Sequence, residues 1–157
     1  MDDRNVISCN NLDEAALVSL AQRLAAAITQ GGLIYLIGDL GAGKTTFARA
    51  LIKSLGVAER VKSPTYSLIE SYRSALLNIH HLDLYRIADP GELEWLGLAD
   101  LLTPDALLLV EWPERAGNTL PSADLQIRLS HAGLRRDLVV EACSAIGKCW
   151  MSDAAFQ

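Results

Sequence analysis

Residues 38–45 read Gly-Asp-Leu-Gly-Ala-Gly-Lys-Thr, the spacing G-x-x-x-x-G-K-[ST]. No other string in the chain restricts the fold as much, because this one works only between a buried strand and the start of a helix. Both flanks match. Residues 32–37, Gly-Leu-Ile-Tyr-Leu-Ile, are an almost unbroken apolar run, as expected for a strand covered on both faces of a parallel sheet. Downstream, Phe47, Ala48, Leu51, Ile52 and Leu55 recur at helical spacing, and Gly56 follows where a helix-ending glycine belongs.

The chemistry follows from the residue types. Glycines let consecutive N–H groups turn inward with no Cβ in the way, which makes a nest for phosphate oxygens. Lys44 is expected to place its charge on the β- and γ-phosphates, and the Thr45 hydroxyl to complete the shell of a Mg²⁺ ion. The helix behind adds the positive end of its dipole. Gly38, Asp39, Leu40, Gly41, Ala42, Gly43, Lys44, Thr45 and Thr46 are therefore candidate contacts for a nucleoside triphosphate.

With 157 residues, half of them hydrophobic, the chain is expected to form one domain over residues 1–157. A net charge of −5 argues against a broad basic face that grips nucleic acid by its phosphates. Cys9, Cys143 and Cys149 are scattered, with no C-x-x-C pair, which suits a reducing compartment. No run approaches the ~18 apolar residues of a membrane span, and the acidic start is no signal peptide, so a cytoplasmic location is expected.

Along the chain, Asn11-Leu-Asp-Glu14 has the form of a capping box. The helix it opens carries Leu17, Leu20, Ala21, Leu24 and Ile28 on one face and ends at Gly31 and Gly32. Residues 63–69 and 76–85 read as strands around a polar turn at 71–74. Asp89-Pro-Gly-Glu92 starts another helix, whose Trp95 and Leu96 either form a docking face or, as the plainer expectation, pack into the core. Residues 106–110 are a second strongly buried strand. Residues 125–129 and 138–142 are short strands joined by a His-Ala-Gly turn, and residues 144–157 read as a frayed tail. This alternation gives an α/β fold with a mixed, mostly parallel central sheet flanked by helices.

Further groups carry chemistry. Ala-Leu-Leu-Leu-Val-Glu111 is an apolar strand ending in a carboxylate, suited to holding Mg²⁺ beside the loop; an acid solvating a strand end is the plainer alternative. Trp112 is placed to stack on a purine, or to fill a half-buried core position. In His80-His-Leu-Asp83, His81 and Asp83 share one strand face and His80 the other, with no fourth ligand for a metal. Asp83 either orients and deprotonates an attacking water or pairs with Arg86 at the surface. Thr65, in Ser63-Pro-Thr65, either senses a γ-phosphate and its Mg²⁺ or belongs to a segment that simply starts a strand.

Four strings in this order, Gly-Asp-Leu-Gly-Ala-Gly-Lys-Thr-Thr, Ser-Pro-Thr-Tyr-Ser-Leu, His-Leu-Asp-Leu-Tyr-Arg and Val-Glu-Trp-Pro-Glu, resemble the bacterial tRNA threonylcarbamoyladenosine biosynthesis ATPase family, TsaE (formerly YjeE). The resemblance spans about residues 8–142. It implies a small cytoplasmic P-loop ATPase, weak alone, that resets a complex of TsaB and TsaD between turnovers. Those partners modify an adenosine beside the tRNA anticodon, and tRNA contact with the ATPase itself is indirect. It also implies ATP on residues 38–45, Mg²⁺ on Thr45 and Glu111, and Asp83 as the catalytic carboxylate. Thr65 becomes the switch threonine, Trp112 the adenine-facing aromatic, and Arg136 a late arginine reaching the nucleotide. Where the family often has a threonine early in the first helix, this chain has Asp13-Glu-Ala-Ala16.

The rival class is a P-loop small-molecule or nucleotide kinase, which needs an arginine-bearing lid and an acceptor pocket. Only scattered arginines follow the loop, and no N-K-x-D guanine reader occurs for a GTP switch. A module that binds nucleotide without turnover is the third reading.

Overall fold

A computed structural model describes residues 5–62, 64 and 68–152. In chain order the elements are β1 (Val6–Leu12), α1 (Glu14–Ala27), β2 (Gly32–Ile37), α2 (Lys44–Ser54), β3 (Ile69–Arg73) and β4 (Asn78–Asp83). Then come α3 (Glu92–Trp95), α4 (Leu98–Leu101), β5 (Ala106–Glu111), a 3-10 turn (Pro113–Ala116), β6 (Leu125–Ala132), β7 (Arg135–Ala142) and α5 (Ala145–Ser152).

The strands form one mixed seven-stranded sheet in the order β1-β7-β6-β2-β5-β4-β3. Its centre, β6-β2-β5-β4, is parallel, while β1, β7 and β3 add antiparallel edges. The apolar runs read from sequence are the central strands, and every residue of β5 is buried. Strand periodicity divides the core. Ile34, Leu36, Ile79, Leu107 and Leu109 face α1, α2 and α5. Leu33, Leu82, Leu108 and Val110 face Leu93 of α3 and Leu98 of α4. Among the described residues no helix is long and apolar enough to cross a membrane.

Several local expectations are corrected. Asn11 does not cap α1; it lies in β1 with φ 57, and its N–H donates to Asp137 Oδ1 at 2.8 Å. The cap is Asp13, whose Oδ1 accepts from Ala16 N at 2.8 Å. Residues 71–73 belong to β3, and the turn falls later, where Ser74 N donates to Leu77 O at 3.0 Å. The expected strand at 63–69 falls largely on Ser63 and residues 65–67, which lie outside the described residues; β3 begins at Ile69. β6 and β7 continue to a tight turn at Gly133 and Leu134, because the hairpin ladder pairs Ala132 with Arg135.

Trp95 is not core: α3 is a single turn, which buries Leu93 and leaves Trp95 91% exposed. The expected tail folds as far as it is described. α5 buries Trp150 to 1% exposure against Gly32, and Ser144 Oγ donates to Asp124 Oδ1 at 2.6 Å. Gly147 packs so closely on Asp124 that a Cβ there would meet its carbonyl oxygen at 1.9 Å. These contacts are long-range, so no periodicity within the segment announces them.

Candidate functional site

The three parallel strands β2, β5 and β4 end at the same edge of the sheet, the edge where α/β folds receive ligands. Each strand turns polar there. On the α2-facing side β4 runs Ile79, His81, Asp83, and β5 runs Leu107, Leu109, Glu111. The parallel register sets Asp83 beside Glu111. The loop after β2 lies next to both, and the result is an open cleft of about 340 Å³.

The loop has the conformation its glycines permit. Gly41 and Gly43 have φ 76 and 104, left-handed values that an L side chain resists. Ala42 N donates to Asp39 O at 3.1 Å. Gly43 precedes α2 with no side-chain cap, so the first-turn N–H groups of α2 open toward the cleft.

Lys44 is 5% exposed and folds back over the loop, donating to the Gly38 carbonyl and to Asp39 O at 3.1 Å. Its ammonium lies 4.1 Å from the Trp112 ring centre, a cation–π distance. Burial lowers the Lys44 pKa from its ordinary value, opposed by the charges of Glu111 and Asp83. Thr45 Oγ1 donates to Glu111 at 3.0 Å (Oε1) and 3.3 Å (Oε2). Glu111 is 2% exposed, and its Oε2 also meets His81 Nε2 at 2.7 Å.

Asp83 forms no ion pair with Arg86 among the described residues; its Oδ1 accepts the Tyr85 N–H at 3.1 Å. Burial pushes its carboxyl up from the ordinary range, the Tyr85 bond opposes that, and the charge of Glu111 adds to it. Trp112 has φ 58 and ψ 49, a left-handed backbone rare for a bulky residue. That conformation turns its ring into the cleft, 5.0 Å from the Tyr85 ring centre. Arg136 reaches the loop from β7 and donates to Gly41 O at 3.0 Å. Asp39, Leu40, Ala42 and Thr46 stay with the loop and the start of α2 as expected, whereas Thr65 lies outside the described residues.

Among the described residues no group of three or more His, Cys, Asp or Glu could hold a metal, and His80 turns instead to Ser71, 2.8 Å from its Oγ. Thr45 and Glu111 do present adjacent hard oxygens at the cleft, which suits a small divalent cation that keeps several waters. The His81 contact and the lining by Leu12, Glu14, Leu17, Tyr85 and Leu134 escaped the sequence reading. The available signal was the position of His81, two residues before Asp83 and so on the same face.

Comparison with known proteins agrees over most of the chain. The family described as threonylcarbamoyl adenosine biosynthesis protein TsaE matches residues 12–138. The tRNA threonylcarbamoyladenosine biosynthesis protein TsaE of Haemophilus influenzae is 43% identical over 116 residues, covering 74% of this chain and 73% of that one. The Bacillus subtilis protein of the same name is 39% identical over 115 residues, covering 73% and 72%. The crystal structure of Bacillus subtilis YdiB aligns with a TM-score of 0.77 at 27% identity, over 94% of this chain and 92% of that one.

Proposed function

This chain belongs to the TsaE family, and from that premise we propose that it hydrolyses ATP in the service of tRNA threonylcarbamoyladenosine biosynthesis. One observation carries the reading: Lys44, Thr45, Asp83, Glu111 and Trp112, which come from three separate stretches of sequence, line one cleft at the start of α2.

In this reading the N–H groups of the loop and of the first turn of α2 receive the phosphate oxygens. Lys44 exchanges the carbonyls of Gly38 and Asp39 for the β- and γ-phosphates, a short swing from its present contacts. Thr45 and Glu111 are the residues that would hold Mg²⁺, which when bound neutralises phosphate charge. Asp83 aligns a water on the γ-phosphorus and takes its proton as the bond to the β–γ bridging oxygen breaks, leaving ADP and phosphate. Its raised pKa suits a base in a partly desolvated site. Charge on the departing oxygen is received by Lys44 and the loop N–H groups.

Trp112 is retained as the adenine-facing aromatic: its ring lines the cleft at the Lys44 end, 4.1 Å from the ammonium, and offers a face for the base. Arg136 braces the loop through Gly41 O and stands ready to meet the nucleotide. Thr65 is retained as the switch threonine. The partners are TsaB and TsaD, with tRNA contact through them, in the cytoplasm.

The test is phosphate release from ATP and Mg²⁺ by this protein alone and with purified TsaB and TsaD. Slow release that rises when both partners are present supports the reading. Bound ATP with no release under either condition overturns it in favour of a binding module, and transfer to an added acceptor favours a kinase.

A further inference from the structure

His81 is the most deeply buried polar side chain of the sheet, at 0% exposure, and the mechanism above leaves it unused. It sits on β4 opposite Leu109, one same-face step below the Asp83–Glu111 pair. From there its ring reaches up to Glu111, with Nε2 2.7 Å from Oε2. A carboxylate offers only lone pairs, so the proton of this contact belongs to Nε2. Nδ1 has no partner among the described residues.

The Thr45 hydroxyl cannot orient Glu111 by itself. Its distances to the two carboxylate oxygens, 3.0 and 3.3 Å, scarcely distinguish them. The imidazole does distinguish them, because it engages Oε2.

We propose that His81 is a positioning residue: by occupying Oε2 of Glu111 it presents Oε1, beside the Thr45 hydroxyl, as the oxygen that meets a hydrated divalent cation at the nucleotide. The inference rests on the hydrolytic reading and adds to it the element that holds the carboxylate in place. A buried carboxylate at a strand end needs a donor in any case. What a purely structural histidine would not do is set divalent-cation affinity while leaving nucleotide affinity alone.

The test compares two amides of the same chemistry and different reach. In His81→Gln the amide nitrogen arrives close to the position of Nε2, whereas in His81→Asn it stops one bond short. Mn²⁺ is titrated into the ADP-loaded full-length protein, with the free ion followed by its electron paramagnetic resonance. ADP affinity is measured separately without divalent cation, and thermal unfolding checks that each variant is folded. Partners that orient a ligating group typically contribute about 10–100-fold in metal affinity. His81→Asn should therefore lose about tenfold or more in Mn²⁺ affinity, His81→Gln should stay within about threefold of wild type, and ADP affinity should hold in both.

Equal Mn²⁺ affinity in wild type and a folded His81→Asn overturns the positioning role alone. Wild-type protein that takes up ADP but no Mn²⁺ overturns the hydrolytic reading and this role with it. If His81→Asn does not fold, wild-type ¹⁵N NMR decides: a solvent-protected Nε2–H signal is expected, and a ring whose Nε2 bears no proton overturns the proposal.

Discussion

At the scale of single residues the site separates binding from chemistry. Lys44 is held by two loop carbonyls and lies under Trp112, so it serves the loop as well as the ligand. Among the described residues the Asp83 carboxylate accepts one hydrogen bond, from the Tyr85 N–H, and it lines the cleft. Replacing Asp83 with Asn keeps its shape and an acceptor for that N–H but removes the base. ATP affinity should stay within about threefold, and partner-stimulated phosphate release should fall by about 10²-fold or more, the usual worth of a positioned base. Lys44→Ala should do the reverse first, weakening ATP binding itself by about tenfold or more through a lost charge-assisted contact. Equilibrium binding of a fluorescent ATP analogue beside a phosphate-release assay separates the two. An Asp83→Asn variant with unchanged turnover removes Asp83 from the mechanism.

At the scale of elements, α5 shows how a segment that reads as a tail becomes structure. Trp150 fills the space over Gly32, and Gly147 lets the helix lie against Asp124. Trp150→Ala should therefore destabilise the fold by about 3–5 kcal/mol, the range for emptying a large buried aromatic site, read as a lower midpoint in urea denaturation. A midpoint equal to wild type would return α5 to the status of a tail. A second expectation concerns His80 on β4, where burial lowers the imidazole pKa below its ordinary 6.5. Below pH 6.5 the unfolded chain takes up a proton that the folded chain resists. His80 therefore makes stability fall as pH drops from there toward the folded pKa, and His80→Gln should flatten that limb of a stability–pH profile. The central elements were legible because their signals are local: an apolar run for β2 and β5, helical spacing for α2, glycines at fixed positions in the loop. β1 and α5 were not. β1 is a largely exposed edge strand without clean alternation that exists by pairing with β7, and α5 depends on Asp124 and Gly32, far away in sequence. The site followed the same division. Glu111 and Asp83 stood out as carboxylates at strand ends, while the left-handed Trp112 and the His81 contact depend on backbone and register that no string displays.

At the scale of the whole molecule, one sheet carries two cores and leaves its functional edge open, and the three tryptophans sample the three resulting environments. Trp95 projects from the α3 side at 91% exposure, Trp150 is sealed at 1% beneath α5, and Trp112 lies half-buried in the cleft on the Lys44 ammonium. An indole with a cation on its face responds when that cation moves, and nucleotide binding draws Lys44 toward phosphate. ATP should therefore change the intrinsic fluorescence through Trp112 alone. Trp112→Phe should abolish the change. Trp95→Phe should keep its full amplitude on a lower baseline, and should also remove most of the emission that acrylamide quenches, since Trp95 is the tryptophan most open to solvent. A fluorescence change that survives in Trp112→Phe would mean that nucleotide binding reaches α3 or α5, and the sheet would then have to transmit movement from its open edge to the cores behind it.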